Sequence, residues 1–351
     1  MTSLAALIAP IETPHALDLA VASVRIRVLS NDRDVEDRLR QYYAAYLTAE
    51  SRPPGAAVSV IQGRLPVAGQ FRDVVRADGR RVKEAIREVD GGRLILKRTT
   101  GLVMGLMPGR AFAAGDVRAH LNQAINLINA TFAKAVMRRG YVLLHAAAVS
   151  WRDRAVVLAG PPGAGKSTVA LHCVEHGLRF VSNDRVLAKL TGGGPHIIGY
   201  PKQPRVNPGT LLGHPRLADL LSPAERDALR VLPPDELWRL ERKRDVNLDA
   251  VYGPGTVALS ARMRALVLLR WRRGGGAARI RLLEPSEALT YLPLYYKDLG
   301  VFDLDREPGE PPAADRERPY RAILRRVVLV EMTGAPDCPR LVKLVSDLLD
   351  R

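Results

Sequence analysis

Four residues carry the most specific chemistry in the chain. Gly160, Gly165, Lys166 and Ser167 fit the pattern G-x-x-x-x-G-K-[ST], inside the run Gly160, Pro161, Pro162, Gly163, Ala164, Gly165, Lys166, Ser167, Thr168. Glycines let successive backbone amides turn inward around an anion, where a Cβ would crowd it. A helix starting near Lys166 aims free N–H groups and the positive end of its dipole at the same anion. Lys166 reaches terminal phosphates as a point charge, and the Ser167 hydroxyl is a ligand for Mg2+. Thr168 completes the phosphate-facing run, although its own side chain reads as structural. A chance match in a chain of this length is on the order of one in a hundred from average residue frequencies. Nucleotide binding, with ATP and Mg2+ as ligands, is therefore the leading expectation.

A phosphate cradle serves a kinase, a motor or switch, or a module that only senses nucleotide. Phosphoryl transfer also needs a carboxylate for the metal or acceptor and cations for the developing charge. Asp184, in "FVSNDRV", is the nearest such carboxylate, and this role is preferred to a plain Asn-Asp turn. With Ser167 it forms the expected metal site. His145, in "LLHAAAV", lies in an apolar run, where spacing alone favours a satisfied core histidine.

The surrounding elements must place these groups. "AVVLAG" before the cradle reads as a buried strand, and Val169, Ala170, Cys173 and Val174 after it as the apolar side of a helix. "YVLLHAAAVS" and "RAVVLAG" read as strands joined by the turn "WRDR"; "RFVSND" and "RVLAKL" follow as strands, and "GYPKQPRVNPGTLL" is punctuated by prolines. Residues 215–255 read as helical and charged. "MRALVLLRW" and "ARIRLLEP" flank Gly274 to Gly276, a hairpin signature. "EPGEPPAADRERP" (307–319) reads as a polar loop, and the chain closes with a strand and a helix. The first 135 residues form a separate small α+β unit: strands at 22–30, 58–62 and 93–107, a helix at 34–47 and a long amphipathic helix at 115–140. The expected division is thus residues 1–135, for acceptor binding or assembly, and residues 136–351, holding the cradle.

Composition narrows the class. Of the 351 residues 47% are hydrophobic, enough for a sizeable core, and no apolar run reaches the length of a membrane span. The start lacks the basic residues of a signal peptide. Two distant cysteines, Cys173 and Cys338, argue against a disulfide framework and fit a cytoplasmic protein. The net charge of +16 invites a nucleic-acid partner. The basic residues are scattered and lack aromatic stacking motifs, so solvated faces are the preferred explanation. An acidic protein partner remains open.

Together "LLHAAAV", "GPPGAGKST" and "RFVSNDRV" resemble the catalytic core of bacterial HPr kinase/phosphorylase, and "SNDR", "PRVNPGT" and "GPG" resemble its divergent group, HprK-related kinase B. The likeness covers about Val142 to Leu190. It implies an α/β fold with a core similar to phosphoenolpyruvate carboxykinase, a mixed sheet with flanking helices, and transfer of phosphate to a protein or peptide serine. It also implies catalytic roles for Lys166, Asp184 and His145 and makes a homo-oligomer plausible. Asn183 stands where the family has the first acid of a pair, and an amide cannot accept a proton as a carboxylate does. That speaks against the family's reverse dephosphorylation. Lys202 and Arg205 meet either phosphate or an acidic partner, or are solvated charges on a rigid loop; Arg185 is equally open. The alternatives to a protein kinase are a non-catalytic nucleotide sensor and a small-molecule or polynucleotide kinase.

Overall fold

The computed structural model describes residues 3–50, 52–67, 69–75, 81–272, 274–308 and 316–350. The loop expected at 307–319 therefore lies partly, at 309–315, outside the described residues. The chain forms two units: Met1–Tyr141 with Asp298–Arg316, and Val142–Lys297 with Glu317–Arg351. Sequence alone suggested one cut after residue 135; the chain in fact changes unit after Tyr141, then returns to the first unit for Asp298–Arg316.

The first unit opens with helix α1 (Leu4–Ile8) and strands β1 (His15–Val21) and β2 (Val24–Ser30). Helix α2 (Arg33–Tyr42) follows, capped by the Asp32 carboxylate, which accepts from the Val35 N–H. Then come β3 (Ala56–Gln62), β4 (Arg72–Val75), β5 (Arg81–Val89), β6 (Gly92–Lys97), β7 (Val103–Met107), β8 (Arg110–Gly115) and helix α3 (Leu121–Met137). The strands build one mixed sheet in the order β1-β2-β3-β8-β7-β6-β5-β4. The span 93–107, expected as one strand, is two antiparallel ones, because the turn at Thr99 to Gly101 folds it back. Helix α3 packs its apolar stripe on β2, β3 and β8. Asp298–Arg316 is tied here by buried Arg93, whose guanidinium donates to the carbonyls of Val301, Asp303 and Arg306 at 2.8 to 3.1 Å. Lys134 on α3 forms ion pairs with Asp303 and Asp305.

The second unit contains β9 (Val142–Leu144), β10 (Ala146–Trp151), β11 (Arg154–Ala159), helix α4 (Lys166–Glu175), β12 (Arg179–Ser182), β13 (Val186–Thr191) and β14 (Gly194–Gly199). The proline-punctuated region follows: β15 (Arg205–Val206), α5 (Pro208–Leu212), α6 (Pro223–Arg230), α7 (Pro234–Arg239), β16 (Arg244–Asp245) and α8 (Leu248–Tyr252). Pro223 and Pro234 each start a short helix, so 215–255 is a string of short helices joined by loops. The chain ends with β17 (Ser260–Leu269), β18 (Arg279–Leu282), α9 (Pro285–Thr290), α10 (Leu292–Tyr295), α11 (Glu317–Leu324), β19 (Val328–Thr333) and α12 (Cys338–Asp350).

Strand order is β12-β10-β11-β17-β14-β13-β9. β17 is long enough to fork: its first residues pair with β14 and its last with β19. The hairpin expected across Gly274 to Gly276 does not form. β19 inserts between β17, which it meets in parallel, and β18, which it meets antiparallel. A local turn signature cannot foresee a strand that arrives 50 residues later. β9 and β10 stand five strand spacings apart in this order yet are separated in sequence by His145 alone. A flat sheet would put them about 24 Å apart, while two residues reach only about 7 Å. The sheet must therefore curl around the core that holds Ala146, Val157, Val186, Ile197 and Leu266. His145 sits at the corner where the strand changes partners. Helices α4 and α12 cover the other face through Val169, Cys173, Leu341 and Val345. Cys173 is fully buried and its thiol is pushed up by that burial. Among the described residues no helix is long and apolar enough to cross a membrane.

Candidate functional site

The loop from Gly160 to Gly165 leaves the carboxyl end of β11 and opens α4, with Gly165 left-handed at φ 75° as the residue before the helix. Ligands of open α/β sheets bind beyond such strand ends. Gly160 at φ 151° lies so close to β17 that a Cβ would meet the Leu269 carbonyl at 2.5 Å. The Trp271 indole N–H donates to the Ala164 carbonyl at 2.8 Å, which pins the loop from the end of the neighbouring strand. Sequence reasoning passed Trp271 over; its place at the end of the strand after "MRALVLL" was the available signal. Pro161 lends its carbonyl to Ala164 N–H at 3.2 Å, Pro162 and Gly163 form the tip, and Thr168 meets the Thr210 hydroxyl at 2.9 Å.

Lys166 is 7% exposed, and its ammonium donates to the carbonyls of Gly160 (2.7 Å) and Pro161 (3.0 Å) and to His145 Nε2 (3.1 Å). Burial lowers its pKa to about 8, offset in part by Asp184. His145 Nδ1 lies 3.1 Å from the Asp184 carbonyl and 3.2 Å from Asp184 Oδ1. Both partners are acceptors, so Nδ1 carries the proton, and the neutral ring presents a lone pair at Nε2 to Lys166. The structure thus joins Lys166, His145 and Asp184, which lie up to 39 residues apart in sequence, in one hydrogen-bonded chain. His145 is a member of that chain, where spacing alone favoured a core residue.

Asp184 adopts φ 66°, one of three described non-glycine residues in the left-handed region. The turn is held by buried Ser182, whose hydroxyl donates to the Arg185 carbonyl and accepts from Tyr200 N–H. Burial works to raise the Asp184 pKa. The His145 hydrogen bond and the charges of Arg185 and Lys202 outweigh it and hold the carboxyl well below the usual range. Asn183 faces the helix instead: the Ser167 hydroxyl donates to its Oδ1 at 2.6 Å. No group of three or more His, Cys, Asp or Glu side chains placed to hold a metal occurs among the described residues. Mg2+ at a phosphate cradle needs only one or two protein ligands, the rest being phosphate oxygens and water. Ser167 and Asp184 fit that demand, with the Asn183 amide beside the Ser167 hydroxyl.

Basic side chains ring the cradle. Arg185 donates to the Tyr200 hydroxyl at 2.8 Å and stands 3.8 Å from Asp184 Oδ2. Lys202 lies within electrostatic reach of Asp184, and Lys243 and Lys297 within reach of Lys166. Lys243 and Lys297 were invisible in the sequence, since each comes from a distant loop. Arg205 is paired with Asp245 at 3.2 Å, so its charge is partly spent there.

No family model matches the sequence, and no curated protein matches it. Solved structures that match include the Hpr(Ser) kinase/phosphatase from Coxiella burnetii. It is 10% identical, the match covers 59% of this chain and 88% of that one, and the TM-score is 0.27. A likeness this low leaves the functional argument to the site's own chemistry.

Proposed function

We propose that the protein is an ATP-dependent kinase that transfers the terminal phosphoryl group to a hydroxyl, that of a serine in a protein or peptide. The observation that supports this reading is the chain Lys166–His145–Asp184 at the mouth of a glycine-rich loop that opens a helix. Loop amides and the α4 N-terminus bind phosphate oxygens. Ser167 and Asp184 would hold Mg2+, which would supply charge neutralisation on the phosphates.

Lys166 has two sets of partners to choose between. On the loop it caps His145 Nε2. Drawn onto the β- and γ-phosphates, it leaves that lone pair open. The acceptor oxygen then attacks the γ-phosphorus, the bond to the β–γ bridging oxygen breaks, and ADP leaves with the electron pair. The acceptor proton passes to His145 Nε2. Asp184 is too weak a base for that step, given its lowered pKa, and instead orients the ring and stabilises its protonated form. In this scheme nucleotide binding uncovers the base, which makes up for the amide at Asn183.

A nucleotide-sensing module is the second reading, favoured by the Ser167–Asn183 hydrogen bond that ties the metal-ligand hydroxyl to an amide. Incubation with labelled ATP and lysate of the source cell separates the two. The kinase labels a serine-containing product. Lys166→Ala lowers nucleotide affinity by about a hundredfold, in line with the loss of a charge-assisted contact of about 3 kcal/mol. His145→Gln keeps that affinity but slows transfer by 10²–10⁴-fold, the usual range of general-base catalysis. Tight nucleotide binding with no transfer establishes the sensor. Unchanged affinity in Lys166→Ala removes the cradle itself.

A further inference from the structure

The cations around the cradle outnumber what a nucleotide requires. Lys166, Arg185, Lys202, Arg205, Lys243 and Lys297 share the site with the carboxylates of Asp184 and Asp245. That leaves a surplus of four positive charges, while a magnesium-bound nucleoside triphosphate brings about two negative ones. The backbone fixes where the excess sits. Lys297 N–H donates to the Leu143 carbonyl at 3.3 Å and His145 N–H to the Tyr295 carbonyl at 2.7 Å, so Lys297 is carried on a segment laid directly along β9 beside His145. Gly199 pairs with Val186, which brings Tyr200 and Lys202 past the Asp184 turn. Lys243 is held where its carbonyl accepts from Arg205 at 3.3 Å, next to the β15–β16 ladder. None of the three lysines forms an ion pair among the described residues.

We propose that Lys202, Lys243 and Lys297 bind the acceptor, and that the acceptor hydroxyl lies in an acidic peptide segment whose carboxylates meet these three ammonium groups. The inference rests on the kinase reading of the same site. Phosphates are already served by the loop amides and Lys166, while Lys297 follows the segment hydrogen-bonded beside His145, Lys202 lies within electrostatic reach of Asp184, and Lys243 lies within reach of Lys166 from the β15–β16 ladder. A nucleic-acid acceptor would want an aromatic platform for base stacking. The aromatic ring next to Asp184, Tyr200, is 2% exposed and covered by Arg185. Unpaired lysines opposite a ligand's carboxylates steer and select it more than they tighten it, so the preference is salt-dependent.

The test measures binding of labelled serine peptides to the full chain saturated with Mg2+ and a non-hydrolysable ATP analogue. One peptide has glutamates flanking the serine, a matched one has glutamines. The glutamate peptide is expected to bind about tenfold tighter, with the advantage falling as salt rises. Lys202→Gln/Lys243→Gln/Lys297→Gln removes the advantage and leaves affinity for the ATP analogue within about threefold of the parent. Equal binding of the two peptides, binding of neither, or tighter binding of a single-stranded oligonucleotide overturns the inference. So does a triple variant that loses nucleotide and peptide affinity alike, because the lysines then serve the nucleotide. If the parent chain does not bind the ATP analogue, the kinase reading falls and this inference with it.

Discussion

Lys166 is positioned so that pH bears on its proposed phosphate contact. Its pKa of about 8 lies below the ordinary lysine value because burial disfavours the ammonium. Below that pH the side chain is charged and attracts phosphate; above it the charge is progressively lost. Nucleotide affinity is therefore expected to be flat to about pH 7.5 and then to fall, by up to about tenfold for each further pH step of one. Titration calorimetry across pH 6.5 to 9.5 checks this, and a profile flat to pH 9.5 contradicts the burial of Lys166. The same residue shows how a local motif and its surroundings divide the work. The pattern around Gly160 and Gly165 announced an anion site, but Nζ bonded to His145 follows from a curled sheet that the motif does not encode.

Helix α4 does more than follow the glycine-rich turn. Its outer side carries His172, Glu175 and His176, and His214 from the turn after α5 packs on it. The rings of His172 and His214 lie 4.7 Å apart, His214 Nε2 meets the Tyr252 hydroxyl of α8 at 3.3 Å, and Arg216 bridges to Glu175 at 3.2 Å. Burial lowers the pKa of both histidines, and the His214 charge further depresses that of His172. The unfolded chain, with His values near 6.5, takes up protons first on acidification. The stability is thus whole above about pH 6.5 and is lost as pH falls toward the folded-state values, since two cations cannot stay stacked. The melting temperature should drop by about 2–4 °C or more between pH 7 and 5, and less in His214→Gln. Equal acid sensitivity in the two proteins would show that the pair does not control docking of residues 205–252 onto α4. Through Thr168 and Thr210 the same docking supports the glycine-rich turn.

At the scale of the whole chain, each unit is discontinuous in sequence. The first unit borrows Asp298–Arg316, and what it borrows is specific: three carbonyls for buried Arg93 and two carboxylates for Lys134. Residues 1–141 expressed alone lose these acceptors for Arg93 and Lys134, hydrogen bonds to charged groups worth about 1.5–3 kcal/mol each. That fragment should melt at least about 5 °C below the same fragment with residues 298–316 joined by a flexible linker. Identical melting would mean that the returning segment adds nothing to the unit.

The sequence by itself determined what is local: the glycine-rich turn, the strand before it and the helix after it, and the amphipathic stripe of α3. Each is set by contacts within a few residues, so pattern and residue type suffice. Tertiary structure alone decided the rest. The insertion of β19 between β17 and β18, the curl that turns the corner at His145, and the arrival of Trp271, Lys243 and Lys297 at the cradle all join residues far apart in the chain. No local energy selects them; they are chosen by which apolar faces close the core together, and the chemistry of the site follows from that closure.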